Sequence, residues 1–181
     1  MPMSVLLQAA RQMELSPDAI ARLRSEMTPQ SAVRDLLDAG LTTDALKLLA
    51  RLLPKRYVVA WLCQCAREQR LDGEGMAGAS LAEKWVRDPS ENNRRAAFDF
   101  ATAGGYGSLG AWIAASAGWA GGSLAPAAQA TPVPPADHLT ARAAVAAINL
   151  LAALVSDAFE VRRIAFIGHA MGLLDVERVG A

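Results

Sequence analysis

The stretch PKRYVVAWLCQCAREQR, residues 54–70, decides the fold class. Pro54 suits the first turn of a helix, and Val58, Trp61, Leu62 and Cys65 recur at steps of three and four, which sets them along one apolar stripe. Lys55, Arg56, Arg67, Glu68 and Arg70 are confined to the two ends. A helix with tryptophan at its middle and charge only at its termini is one that several neighbours pack against, so it reads as the central core helix.

Composition agrees. Of the 181 residues, 52% are hydrophobic but only 6% are aromatic, so alanine and leucine carry the excess and helices are favoured over strands. The length suits one compact domain, 1–181, with a core that needs neither disulfide nor metal support. Eighteen basic and eighteen acidic residues cancel, which argues against nucleic acid as a partner.

The two cysteines, Cys63 and Cys65, lie two apart on the same helix and so point about 200° apart. They read as small core hydrophobes in a reducing compartment, and their spacing is not that of a redox or zinc pair. The first residues, MPMSVLLQAARQMELSPD, lack a basic leader, an apolar run and a small-residue cleavage site, so no Sec export is expected. The longest apolar run, Ala143 to Val155, is shorter than a bilayer requires and contains Asn149. The expectation is a cytoplasmic protein with no membrane span.

N-terminal to the central stretch, short helices follow one another through tight turns. Ser16-Pro17 and Thr28-Pro29 are cap-and-start pairs, Leu15 and Ile20 stand at staple spacing, and a second helix should end near Ser25. Gly40 is placed to stop the third helix, and Leu46, Leu49 and Leu53 stripe the fourth. Residues 1–70 are thus a set of antiparallel short helices. C-terminal to the stretch, LDGEGMAGA (71–79) reads as a glycine-rich loop. Helices resume with Leu81, Ala82, Trp85 and Val86, then over Glu91–Ala103, where Ser90, Glu91, Arg94 and Arg95 make a polar side, then from Ser108 to Trp119. Residues 121–137, GGSLAPAAQATPVPPAD, form a long loop containing Pro126, Pro132, Pro134 and Pro135. A C-terminal helix pair, 138–174, follows: Asp137 or Thr140 caps the first member, and Phe159, Phe166, Ala170 and Leu173 share a face of the second. Val176–Ala181 reads as a loose tail.

No chemical constellation emerges. Gly105-Tyr-Gly107-Ser-Leu-Gly110 matches the G-x-G-x-x-G fingerprint, but a helix precedes it and the next acidic residue is Asp137, so a turn between helices is the preferred reading. Arg94-Arg95 lies mid-chain, where a solvated or salt-bridged helix face is favoured over an export signal, with a recognition patch beside Glu91 as the alternative. His138 and His169 fall on different elements, and the sequence calls for no catalytic residue, metal or cofactor. Of the four tryptophans, Trp61, Trp85 and Trp112 read as core, and Trp119, at a helix end before the proline loop, as a contact residue.

Three segments together carry a resemblance: LPKRYVVAWLCQCAR (53–67), AEKWVRDPSENNRRAAF (82–98), and WAGGSLAP (119–126) followed by VPPADHLTARAAVAAI (133–148). Over roughly Leu36 to Leu151 the chain resembles an uncharacterised bacterial family, a domain of unknown function associated with type VI secretion gene neighbourhoods. The resemblance implies a cytoplasmic helical protein, an accessory of secretion, and supplies no catalytic residues.

The reading that follows is a non-enzymatic interaction module whose partner is another protein, a secretion component or secreted effector. Trp119, Pro126, Pro132, Pro134 and Pro135 would form its contact surface, with Arg94 and Arg95 as a second candidate. An immunity protein that plugs a toxin belongs to the same class, and exposed Ala/Leu faces leave a homodimer open. The alternative is an enzyme whose pocket beside the loop gathers Glu91, Arg94 and His138.

Overall fold

The computed structural model describes residues 3–176, in which ten α-helices and one 3-10 turn make up the regular structure and no strand occurs. The all-α expectation holds, and local capping explains most helix starts. Ser4, Ser16 and Thr28 sit in extended backbone and accept from the N–H three residues on, which opens α1 (Val5–Gln12), α2 (Pro17–Arg22) and α3 (Pro29–Asp38). Thr28 and Ser31 complete a capping box. α2 ends three residues before the expected Ser25, because Leu23 turns extended and buries its side chain. Gly40, at φ +75°, stops α3: its N–H bonds to the Leu37 carbonyl, and that of Leu41 to Leu36. α4 (Thr42–Leu52) then runs to Leu53-Pro54, and α5 (Lys55–Arg67) starts directly after the proline.

The stripe of α5 is buried as its spacing requires, with Val58, Trp61, Leu62 and Cys65 no more than 1% exposed. Trp61 donates its indole N–H to the Phe166 carbonyl at 2.8 Å, so the polar end of the largest core side chain is satisfied. Yet α5 is not the most enclosed helix.

That position belongs to α8 (Leu109–Gly118), in which every residue from Gly110 to Gly118 except Trp112 is buried. It lies against α5, α6 (Gly73–Arg87), α7 (Glu91–Ala103) and α9 (Leu139–Ala153). Small side chains permit this. A Cβ on Gly78 would stand 2.6 Å from the Gly110 Cα and nearer still to its carbonyl, and one on Gly118 would stand 2.7 Å from the Phe98 Cα. At the first crossing α6 and α8 meet backbone to backbone.

This crossing corrects the loop expected over residues 71–79. Asp72 caps α6 by accepting from the Gly75 N–H at 2.7 Å, and Gly73, Gly75 and Gly78 all lie inside the helix. Glycine's poor intrinsic helicity is overridden by a contact that only glycine allows. Glu74 then reaches the start of α8, where it accepts from the Ser108 hydroxyl at 2.5 Å and sets a negative charge at a helix N-terminus.

α9 begins at His138 with no side-chain cap, unlike the expected cap from Asp137 or Thr140. The Thr140 hydroxyl instead donates to the Ser116 carbonyl at 2.9 Å, a buried tie between α9 and α8. A 3-10 turn, Ser156–Ala158, leads into α10 (Phe159–Val176) with a change of direction of 116°. α10 seats Phe166, Ile167 and Ala170 in the core, while its Val161 and Ile164, like Leu150, Leu154 and Val155 before it, are exposed. Val176, in α10, is the last described residue, and the rest of the expected tail, 177–181, lies outside the described residues. Among the described residues no single helix is long and apolar enough to cross a membrane.

The crossing predicts a contrast between two glycines. Gly78→Ala should cost about 2 kcal/mol or more by overpacking, whereas Gly168→Ala in α10, with nothing within 4 Å of its Cβ position, should gain about 0.5–1 kcal/mol. Urea unfolding of both variants checks this; equal effects would mean that α6 and α8 do not meet at Gly78.

Candidate functional site

Arg94 and Arg95, expected on a solvated or salt-bridged face, brace the long loop. Arg94 is only 3% exposed. Its Nε and Nη2 donate to the two Glu91 carboxylate oxygens at 2.7 and 2.6 Å, and its Nη1 to the Gly118 carbonyl at 2.6 Å. Nη2 also reaches the Ser123 carbonyl at 3.3 Å. A Cβ on Gly122 would stand 2.6 Å from the guanidinium carbon, so Gly122, at φ +64°, lets the loop backbone lie against the cation. Arg95 donates to the Ala125 carbonyl at 3.0 Å. Arg94 is therefore a buried structural anchor between α7, the end of α8 and the loop. The salt-bridged reading is right for its partner, but its guanidinium is spent inside the molecule and is not offered at the surface.

The loop also closes on itself. The Leu124 N–H donates to the Val133 carbonyl at 2.7 Å, and the Ser123 hydroxyl accepts from the N–H groups of Val133 and Ala125 at 2.8 and 3.1 Å. Pro126, Pro132 and Pro134 are exposed on the closed segment, and Pro135 is half-buried where it rejoins α9.

Trp119 ends α8 beside this loop, half-buried as expected; Trp112, expected in the core, is half-buried as well, while Trp61 and Trp85 are buried. Tyr106, held at φ +56° in the turn before α8, stacks on Trp119 with centroids 5.3 Å apart, and Trp112 meets Trp119 edge-on at 6.1 Å. The two indoles form one wall of a cleft of about 380 Å³. Leu139 and Val145 of α9 form another, Met13 contributes from the α1–α2 turn, and the polar groups stand at the edge: Glu14, Lys47 and Arg142. Arg142 donates to the Glu14 carboxylate at 3.2 Å and to the Gln12 carbonyl at 3.1 Å. Among the described residues Lys47 donates only to the Glu14 backbone carbonyl, at 3.4 Å. Sequence reasoning singled out Trp119 but missed Trp112, Lys47 and Arg142, which come from α8, α4 and α9 and carry no shared spacing.

A larger cleft, about 540 Å³, runs between α5 and α6 past Arg67, Arg70, Met76 and Glu83. It had no counterpart in the sequence reading, because residues 71–79 were taken out of the helices there. Burial pushes the thiols of Cys63 and Cys65 up to about 12, which leaves them protonated and inert. Among the described residues no group of three or more His, Cys, Asp or Glu side chains is placed to hold a metal ion.

The Glu91, Arg94 and His138 grouping is divided. Glu91 and Arg94 pair with each other, whereas His138 sits at the start of α9, where burial and then Arg142 and Arg51 hold its imidazole below the ordinary value. None of the three lines either cleft described above. The G-x-G-x-x-G match falls in the turn between α7 and α8, with Gly105 and Tyr106 both at positive φ, and is preceded by a helix.

Residues 32–174 match a family of unknown function, DUF6931, and the chain belongs to that family. No curated protein and no solved structure matches it.

Because one guanidinium holds a carboxylate and two backbone carbonyls, Arg94→Met should destabilise by about 3–5 kcal/mol, and Arg94→Lys should rescue little, since an ammonium cannot serve those directions together. Denaturant midpoints check both. The Arg94 guanidinium holds the Glu91 carboxyl below its ordinary value, so the pair's contribution is present above the ordinary glutamate range and lost as pH falls through the lowered one. Stability measured against pH should therefore fall less steeply on the acid side in Glu91→Gln than in the parent.

Proposed function

We propose that the protein is a non-enzymatic interaction module that presents the Trp112/Trp119 cleft and the adjoining proline loop to another protein. One observation carries this reading. Two indoles in edge-to-face contact, one of them stacked on Tyr106, are left half-buried on the otherwise enclosed α8 and at its C-terminal end. Rigid aromatic side chains lose little conformational freedom on docking, and a braced proline segment beside them loses little more.

The three sequence segments that resemble bacterial proteins from type VI secretion neighbourhoods support a more particular role, that of a cytoplasmic accessory or adaptor to a secretion component or a secreted effector. The exposed Pro126, Pro132 and Pro134 would extend the contact surface. Arg94 and Arg95 would serve it indirectly, by fixing the loop's base.

The test is an affinity capture from native bacterial lysate with three baits: the parent, Trp119→Ala, and a form in which residues 127–131 are shortened. That deletion leaves Ser123–Ala125 and Val133 to keep the loop closed, and circular dichroism confirms folding. A stoichiometric protein captured by the parent and lost from both variants is the expected result. Equal capture by all three would remove the cleft and loop from the function.

A further inference from the structure

The aromatic cleft has a consistent division of labour. Its walls are apolar and contain the indole faces, and its polar groups all stand at the rim. A small polar metabolite is usually oriented by several donors and acceptors inside its pocket, and apart from the indole N–H groups of Trp112 and Trp119 the uncharged side chains that line this cleft are apolar. A cleft of about 380 Å³, open along α8 and α9, instead suits one large side chain that enters from a passing chain.

The rim fixes the charge of that chain. Lys47 has no carboxylate partner among the described residues, its one bond being the 3.4 Å contact with the Glu14 carbonyl. Arg142 shares the single rim carboxylate, Glu14, in an exposed pair at 3.2 Å. Arg51 lies close behind, bonded to the neutral Gln12 amide. Of the three charged side chains that line the cleft, two are cations and one is a carboxylate, so this rim of a chain of zero overall charge carries an excess of positive charge.

We infer that the Trp112/Trp119 cleft, with Lys47 and Arg142 at its rim, docks an acidic peptide segment of the partner, an aromatic or large aliphatic residue flanked by Asp or Glu. The inference rests on the interaction-module reading and deepens it. The anchor side chain packs edge-to-face against the indoles, and a flanking carboxylate accepts from the Lys47 ammonium. Lys47 gains the carboxylate partner it lacks among the described residues, so complementarity sets both the register of the segment and its preference over basic ones.

Selection from a library of random twelve-residue peptides displayed against the immobilised full chain tests this without assuming the partner's sequence. The expected outcome is enrichment of an aromatic residue or leucine with Asp or Glu beside it. Synthetic peptides of the enriched sequence should then bind about tenfold more weakly to Lys47→Glu and in raised salt, and no longer bind Trp119→Ala. Lys47→Glu changes only a rim side chain with one long bond, so its failure to fold is not a concern. Enrichment of basic or charge-free sequences, or enrichment unchanged by Lys47→Glu, overturns the inference. A lysate partner captured through Trp119 without acidic preference would sink the inference alone, whereas no Trp119-dependent partner at all would sink the underlying reading.

Discussion

Two helices can touch backbone to backbone only where neither carries a Cβ, and α6 and α8 do so at Gly78 and Gly110. A side chain at either position would overlap the other helix's main chain, so the contact admits glycine on both sides. This close approach brings α8 into the middle of the molecule, where alanine and serine suffice to fill the space left by its neighbours. Dispersion between closely apposed backbones replaces the interlocking of large side chains. The contrast lies within one chain: α3 and α4 pack through Val33, Leu36, Leu46 and Leu49, and α6 to α9 largely through glycine and alanine.

The candidate site is a by-product of that arrangement. With α8 enclosed on its other faces, its aromatic residue Trp112 and the Trp119 that follows the helix both line the cleft between the α1–α2 turn, α4 and the start of α9. The loop that joins α8 to α9 must leave from the same end. Arg94 controls that exit, since its guanidinium bonds the last carbonyl of α8 and the Ser123 carbonyl while the Glu91 carboxylate neutralises it. A buried cation with three partners, one carboxylate and two backbone carbonyls, specifies one path for the chain more sharply than an apolar contact would.

Features set by neighbours in sequence were legible. Ser16, Thr28, Ser90 and Ser108 each accept from the N–H three residues on, and serine or threonine before a helical run signals that directly. The apolar stripe of α5 was legible for the same reason. The glycine-rich start of α6 was not, because local propensity argues for a loop and the helix that requires glycine at position 78 begins some thirty residues later in the chain. The burial of Arg94 was hidden because its distant partners, Gly118 and Ser123, contribute backbone carbonyls, which every residue possesses. Trp119 could be picked out by its place before the proline loop. Lys47 and Arg142 could not, since only the packing of α4 on α9 and of α9 on α8 brings them to its side.

The most direct measurement of whether the α6–α8 crossing organises the molecule is native-state hydrogen exchange of the α8 amides. The account predicts that Ala111 to Ala117 exchange only through global unfolding, with protection equal to the overall stability and above that of α1 and α2. Exchange of α8 through a smaller opening, while α3, α4 and α5 stay protected, would contradict it and assign the organising role to the leucine-packed helices.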